Sequence, residues 1–135
     1  MVKVFLVEDE IVMREGIKKK IPWETEGYEF AGEASDGELA YPLIKKVRPD
    51  IIITDIKMPF MDGLELSKLV KKEMPKTKII VLSGYNDFEY AQKAIRLGVA
   101  AYLLKPITPG ALLKTVSEVA EQIRREREEE EMMET

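Results

Sequence analysis

The stretch IIITDIKMPFMDG, residues 51–63, contains an apolar run that ends abruptly in a carboxylate. Three isoleucines in succession, Ile51 to Ile53, are typical of a strand that is buried on both faces. Asp55 follows at the end of that strand. A buried carboxylate is costly unless it is paired, hydrogen-bonded or bound to a metal. We therefore expect the rest of the chain to supply partners for Asp55.

Short apolar runs alternate with helical patterns along the whole chain. We predict strands at residues 2–7, 28–34, 50–54, 78–83 and 100–104, and helices at 10–21, 38–47, 64–73, 86–97 and from 108 onward. The first, third and fourth strands are continuously apolar, whereas the second alternates. This (βα)5 pattern predicts an α/β domain with a doubly wound, flavodoxin-like fold and a five-stranded parallel sheet in the order 2-1-3-4-5. The alternating second strand would then lie at an edge.

Two local patterns refine the helices. Asn86 and Glu89 have the spacing of a capping box, and Gly98 fits the position just after a helix. In the first helix, the sequence predicts one apolar face that contains Ile11, Val12, Ile17 and Ile21.

The last helix carries an apolar stripe that stops at Ile123; its members are Leu112, Val116, Val119 and Ile123. From Glu118 to the end, eight Glu and three Arg give a net charge of −5. We predict a domain over residues 1–123 and an acidic helical extension or linker over 124–135. Fraying is expected near the four glutamates at 128–131, because negative charge opposes the helix dipole there. A disordered tail is the alternative.

Composition limits the chemistry that the chain can perform. With 135 residues, 45% of them hydrophobic, the chain suits one domain with a real core. It has no cysteine and no histidine, so any metal must be held by oxygen, which favours magnesium, calcium or manganese. The net charge of −4 and the absence of a basic face argue against nucleic-acid binding. No apolar run approaches the roughly 18 residues of a membrane helix, and no signal peptide is evident, so we expect a cytoplasmic protein.

Charged and hydroxyl residues follow the four strands that would be contiguous in this sheet; they are Glu8, Asp9, Asp55, Ser83 and Lys105. Ligands of such sheets bind beyond the carboxyl ends of the strands. Clustered carboxylates call for a divalent cation, and a cation beside a lysine and a hydroxyl suits phosphoryl transfer. Taken singly, each residue is as consistent with a turn or a helix start, so only the set favours chemistry. Asp55 on the central strand would be the nucleophile of an aspartyl-phosphate.

The stretches VFLVEDE, DIIITDIKMPFMDG and KIIVLSGYNDFEYAQKAIRLGVAAYLLKPI resemble the receiver domain of two-component response regulators, over residues 2 to about 123. The resemblance implies that Asp55 accepts a phosphoryl group from a sensor histidine kinase with the help of Mg²⁺. It also implies that Asp9 and Asp55 ligate the metal directly, Glu8 through water, and Lys57 through its backbone carbonyl. Aspartate is more usual in such domains at the place of Glu8, which should still serve as an outer ligand.

The same resemblance assigns the remaining site residues. Lys105 would bind the phosphoryl group, with a cis peptide bond to the following proline, and Ser83 and Tyr102 would be the switch residues. Threonine is common at the place of Ser83, and either residue offers the hydroxyl. Lys57 and Tyr85 would flank the path of the water that hydrolyses the phosphoryl group, and neither is an acid, so slow self-hydrolysis is expected.

The segments LSGYNDFEYAQKAI and AAYLLKP look most like receivers attached to AraC-type helix-turn-helix output domains, which regulate transcription. We expect this chain to lack the DNA-binding output domain, so a truncated receiver and a stand-alone receiver both stay open. A homodimer formed on phosphorylation is also left open.

Three other functions compete with the phosphoacceptor switch. A metal-dependent phosphatase with an aspartyl nucleophile usually needs a second aspartate two residues later, where this chain has Lys57. A flavodoxin-like cofactor carrier would need a phosphate-binding loop after the first strand, where EDEIVM is acidic. A pseudo-receiver that only docks partners should have an incomplete phosphorylation set, and here the set is complete.

Overall fold

The computed structural model describes residues 1–84 and 88–134, and these ranges contain alternating strands and helices. The strands are β1 (Val2–Val7), β2 (Tyr28–Ala34), β3 (Ile51–Asp55), β4 (Lys78–Ser83) and β5 (Ala101–Leu104). The helices are α1 (Ile11–Lys20), α2 (Gly37–Val47), α3 (Gly63–Glu73), α4 (Phe88–Leu97) and α5 (Pro109–Glu134). The strands pair in parallel in the order β2-β1-β3-β4-β5, which confirms the predicted fold and its edge strand β2.

The sheet separates two apolar cores. Helices α1 and α5 cover one face, and α2, α3 and α4 cover the other. Successive residues of a strand face opposite sides, so Ile51 and Ile53 belong to the first core and Ile52 to the second. Burial on both faces explains why the central parts of β1, β3 and β4 are apolar runs, with polar residues confined to Lys3 and to the strand ends.

The apolar faces predicted for α1 and α5 can be compared with the residues that these helices bury. The stripe of α5 is buried as predicted, through Leu112, Val116, Val119 and Ile123. In α1, Ile17 is buried, and so is Ile21 just beyond the helix, but Ile11 and Val12 are 67% and 86% exposed. The predicted common face was therefore wrong for these two residues. They precede Ile17 by six and five positions, and neither interval is a whole number of 3.6-residue turns.

The carboxyl end of α4 is closed by a backbone motif at Gly98, which has a φ of 83°. The Gly98 N–H donates to the carbonyl of Ile95 at 3.0 Å, and the Val99 N–H donates to the carbonyl of Ala94 at 3.3 Å. This pair of bonds defines a Schellman motif, in which glycine tolerates the left-handed conformation best. The predicted position of Gly98 is confirmed, whereas the predicted cap Asn86 lies outside the described residues.

Helix α5 continues past Ile123 to Glu134. Three ion pairs join this part of the helix to the amino-terminal edge of the sheet: Arg127–Asp50 at 2.6 Å, Glu126–Lys78 at 2.8 Å and Glu130–Lys76 at 3.0 Å. The helix is continuous through residues 128–131, where these pairs oppose the unfavourable interaction of the glutamates with the helix dipole, and the fraying expected there stays a prediction. No helix within the described ranges has both the length and the apolar character needed to span a bilayer.

Candidate functional site

The carboxyl-terminal edge of the sheet brings three carboxylates together. Glu8 and Asp9 directly follow β1, and Asp55 is the last residue of the neighbouring β3. One carboxylate oxygen from each residue lies within 4.8 Å of the other two. Glu8 is fully buried, Asp55 is buried and Asp9 is half-buried. The structure thus places the predicted acids in one cluster, which we call the acidic cluster.

The backbone around Asp55 is tightly fixed. The Ile56 N–H donates to the carbonyl of Leu82 on β4 at 2.9 Å, and the Gly63 N–H donates to the carbonyl of Ile56 at 2.8 Å. The Thr54 hydroxyl donates to the Asp55 carbonyl at 2.9 Å. A Cβ atom on Gly63 would collide with that same carbonyl oxygen. Only glycine at position 63 therefore lets α3 begin this close to Asp55.

Lys105 connects two members of the acidic cluster. Its Nζ lies 2.9 Å from Asp55 Oδ2 and 3.2 Å from Glu8 Oε1. The Lys105 N–H donates to the Ser83 carbonyl at 2.7 Å, which fixes the residue beside the end of β4. Its peptide bond to Pro106 is cis, as the resemblance implied. The ammonium group is thus held where a group attached to Asp55 would meet it.

Burial controls the protonation of the acidic cluster. Desolvation, with the added charge of Asp55, raises the pKa of Glu8 to about 8, although Lys105 acts in the opposite direction. Burial also raises the pKa of Asp55, against the hydrogen bond and charge of Lys105. Burial alone would lower the pKa of Lys105, but its hydrogen bond with Asp55 and the charges of both carboxylates raise it. Without a cation, the cluster therefore retains a proton on Glu8 at neutral pH beside a charged lysine.

The acidic cluster fits a hard divalent cation. Glu8 Oε2 is buried and has no hydrogen-bond partner within the described part of the chain. A cation would provide the positive charge that the buried carboxylates lack and would replace the retained proton. Carboxylate oxygens are the ligands that Mg²⁺ prefers. The further role of the Lys57 carbonyl as a ligand stays a prediction.

The two predicted switch residues lie on adjacent strands. Ser83 ends β4, is fully buried and donates its hydroxyl to the carbonyl of Gly84 at 3.1 Å. Tyr102 lies on β5 opposite Val81. Its ring is half-buried against the core that α2, α3 and α4 cover. Ser83 directly follows Leu82, the residue of β4 that pairs with Asp55, and Tyr102 lies two register positions before Ser83. Their switching roles stay predictions.

The residues predicted to flank the hydrolytic water are only partly described. The Lys57 ammonium lies 5.5 Å from the centre of the Tyr90 ring on α4, a cation–π contact. Tyr85 lies outside the described residues. The expected slow hydrolysis therefore stays a prediction for both residues.

A second basic residue, which was not predicted from the sequence, lies beside the acidic cluster. Arg14 on α1 donates from Nη1 to the backbone carbonyl of Glu8 at 2.7 Å. The only signal was an arginine in the helix that follows the acids, and an arginine on an exposed helix is common. The need for glycine at position 63 could not be predicted from the sequence either, because it depends on how closely α3 approaches β3.

Comparison with known proteins places this arrangement in a family. The model of the response regulator receiver domain family matches residues 4–117. YesN, a transcriptional regulatory protein of Bacillus subtilis, is 41% identical over 126 residues, which cover 93% of this chain and 34% of YesN. The chain spans a third to a half of the length of curated relatives such as YesN and DegU of Brevibacillus brevis.

Solved structures extend the comparison to three dimensions. The REC domain of AraT, a response regulator from Geobacillus stearothermophilus, has a TM-score of 0.87 and 44% identity, and the match covers 94% of this chain and 99% of that one. The two component transcriptional regulator AraC from Clostridium phytofermentans has a TM-score of 0.83 and 28% identity, with 96% and 99% covered. These neighbours agree with the predicted likeness to receivers of AraC-type regulators. The family match over most of the sequence, together with these relatives, shows that the chain belongs to the receiver domains of two-component response regulators.

Proposed function

We propose that this receiver is a phosphoacceptor switch, in which Asp55 takes a phosphoryl group from the phosphohistidine of a sensor histidine kinase. The observation that carries the proposal is the position of Lys105 Nζ, 2.9 Å from Asp55 and 3.2 Å from Glu8 inside a buried acidic cluster. A structural ion pair would not need two further carboxylates beside it. Receiver domains are the signalling partners of histidine kinases, which agrees with this chemistry.

In the transfer, a carboxylate oxygen of Asp55 attacks the phosphorus atom of the phosphohistidine. The bond from phosphorus to the imidazole nitrogen breaks, and its electron pair leaves on nitrogen. Lys105 neutralises charge on one phosphoryl oxygen, and the Ser83 hydroxyl turns from its own chain to donate to another. The chain turns over no external substrate in this scheme, because it only gains and loses its own phosphoryl group.

We further propose Mg²⁺ as the cation of this site. Asp9 and Asp55 would bind it directly, Glu8 through water, and Lys57 through its backbone carbonyl. Two observations support this set: Glu8 Oε2 has no hydrogen-bond partner among the described residues, and the three carboxylates are closely spaced. When bound, the ion supplies charge neutralisation to the transferring phosphoryl group.

The proposed output of phosphorylation is a shift between two populations of the same fold. Ser83 would move toward the phosphoryl group, and Tyr102 would turn further into the core. The face formed by α4, β5 and α5 would then change its preference for partners, including a second copy of the chain. Its apolar residues Phe88, Ile95 and Leu104 are 72%, 66% and 58% exposed, which supports a docking role. A full shift from 1:99 to 99:1 requires about 5.5 kcal/mol of differential affinity.

The role in transcription belongs to a longer protein. Because YesN is much longer than the matched segment, we propose that this receiver controls an AraC-type output domain and does not itself contact DNA. Residues 124–135 would then be the helical extension that joins the two, with residues 1–123 as the receiver proper. A stand-alone receiver that acts through protein partners is the alternative.

Phosphorylation by acetyl phosphate and Mg²⁺ tests the function directly. Intact mass should rise by one phosphoryl group in the wild-type protein and stay unchanged in Asp55→Asn. Asp62→Asn is the matched control, because Asp62 is a helix cap that accepts from the Glu65 N–H and asparagine caps equally well. Label that persists in Asp55→Asn would overturn the assignment, and so would a wild-type protein that takes no label.

A further inference from the structure

Arg14 is not among the residues that the phosphorylation chemistry uses, yet it contacts the loop that carries two of the acids. Its Nη1 donates to the Glu8 carbonyl at 2.7 Å, and its backbone N–H donates to the Glu10 carbonyl at 2.9 Å. The side chain is half-buried in α1. The second bond belongs to the first turn of α1 and would form with any residue at position 14, so the bond to the Glu8 carbonyl is the contact that depends on arginine.

The bond from Arg14 completes the fixation of Glu8. The Glu8 N–H donates to the carbonyl of Ala34 on β2 at 3.1 Å, and Oε1 accepts from Lys105. The Glu8 carbonyl accepts from Arg14. Both backbone polar groups of Glu8 and its carboxylate are therefore held by hydrogen bonds. Because a peptide bond is planar, fixing the Glu8 carbonyl also fixes the N–H and the Cα of Asp9.

We propose that Arg14 is a positioning residue for the metal site, which fixes the Glu8–Asp9 peptide so that both carboxylates stay near Asp55 before a cation arrives. The carboxylates of Asp9 and Asp55 lie within 4.8 Å of each other and repel, and Asp9 is the one with room to move toward solvent. Without the bond from Arg14, the loop would relax outward. Part of the binding free energy of the cation would then be used to bring the carboxylates together, and the affinity would fall. This inference rests on the proposed magnesium site.

Magnesium affinity, measured by calorimetry at fixed ionic strength, tests the proposal. Arg14→Met removes the donor and keeps the length, and it should weaken Mg²⁺ binding about tenfold, as expected for residues that orient metal ligands. Arg14→Lys retains a charged donor and should recover most of the affinity. Lys20→Met is the matched control, because it removes one positive charge from an exposed position of the same helix. Among the described residues, Lys20 has no hydrogen bond or ion pair with the loop. This variant should leave the affinity unchanged.

A second readout separates positioning from stability. In the metal-free protein, the Asp9 amide should exchange faster with solvent in Arg14→Met than in the wild type, while the midpoint of thermal unfolding changes little. Should Arg14→Met not fold, Arg14→Gln replaces it with the same expected loss of affinity, because glutamine is too short to reach the carbonyl.

Three results would overturn the proposal. They are wild-type affinity in Arg14→Met, equal weakening in Lys20→Met, and an Arg14→Lys variant that binds no better than Arg14→Met. A protein that binds Mg²⁺ as described but takes no label from acetyl phosphate would overturn the proposed phosphorylation and leave the role of Arg14 intact.

Discussion

Glu8 is the most enclosed acid of the site, and its burial couples proton and cation binding. Its exposed fraction is 0%, whereas Asp9 beside it is half-buried. With its pKa raised to about 8, mainly by desolvation, Glu8 carries a proton at neutral pH when no cation is bound. Binding of a divalent cation must then release that proton, so the affinity for Mg²⁺ should increase with pH.

The raised pKa of Glu8 also predicts how stability varies with pH in the metal-free protein. Between its unfolded value of 4.5 and its folded value of about 8, the folded state retains a proton that the unfolded state has lost. Stability therefore falls as pH rises through this window. We expect the midpoint of thermal unfolding to decrease from pH 5 to pH 9 in the presence of a chelator, by scanning calorimetry.

Glu8→Gln isolates the contribution of this residue, because it removes the titration and preserves the volume. Its unfolding midpoint should vary less with pH than that of the wild type. Glu29→Gln, at an exposed position of β2, is the control and should keep the wild-type slope. A Glu8→Gln variant with the full wild-type slope would contradict the raised pKa.

At the residue level, the sequence predicted the acids, the hydroxyl and the lysine, because each follows an apolar run that marks a strand end. It did not predict that Glu8 would be more buried than Asp9, or that Arg14 would contact it. Both depend on how α1 packs above the sheet edge, and one-dimensional spacing does not encode that direction. The exposure of Ile11 and Val12, by contrast, follows from spacing, since residues five and six positions before Ile17 lie on a different side of the helix.

At the level of elements, the connection from β3 to α3 determines where Asp55 lies. Gly63 is the first residue of α3, and an added Cβ would meet the Asp55 carbonyl oxygen and lie 2.9 Å from Ile56 Cα. Neither backbone atom can move without disturbing the bond of Ile56 to β4. The sequence showed only a helix start here, since Asp62-Gly63 is an ordinary turn signal.

Gly63→Ala should therefore lower the free energy of unfolding by about 1–3 kcal/mol, the usual cost of overpacking. It should also reduce labelling by acetyl phosphate, because Asp55 shifts with its backbone. Gly110→Ala is the matched control near the start of α5, where an added Cβ meets nothing within 4 Å. It should be neutral or stabilise by about 0.4–1 kcal/mol. Denaturant unfolding measures the free energy of unfolding of both variants. Equal values for the two would contradict the steric need for glycine at position 63.

At the level of the whole molecule, the topology followed from the sequence because the strand pattern leaves few arrangements. Continuous apolar runs identified the central strands, and right-handed crossovers determined the rest. The path of α5 beyond Ile123 was harder to predict. Its apolar stripe ends there, and the ion pairs that hold the remainder join residues up to 77 positions apart.

These ion pairs predict that residues 124–134 of α5 are protected from amide exchange as part of the domain. Removing all three together, in Glu126→Gln/Arg127→Gln/Glu130→Gln, should cost about 1–2 kcal/mol locally. Exchange of these amides should then become roughly 5- to 30-fold faster. Sodium chloride near 1 M should have a similar effect, because it shortens the screening length to about 3 Å.

Glu121→Gln is the control, because Glu121 pairs with Arg124 of the same helix and forms no ion pair with the described residues of the sheet edge. Its exchange over residues 124–134 should resemble that of the wild type. Fast exchange from Arg124 onward in the wild-type protein would instead favour the disordered tail.

Because α5 is long, a small tilt of its end near the acidic cluster would produce a larger displacement at its opposite end. With 26 residues, the helix extends about 39 Å, and it begins four positions after Lys105. A movement of its amino-terminal end, close to the proposed phosphoryl site, would therefore be enlarged at its far end. A tilt of about 5° at the amino-terminal end would carry Glu134 through roughly 3 Å at the opposite end of the molecule. The three ion pairs between α5 and the amino-terminal edge of the sheet would oppose this displacement. Because salt screens such pairs, the displacement of the far end should increase with ionic strength.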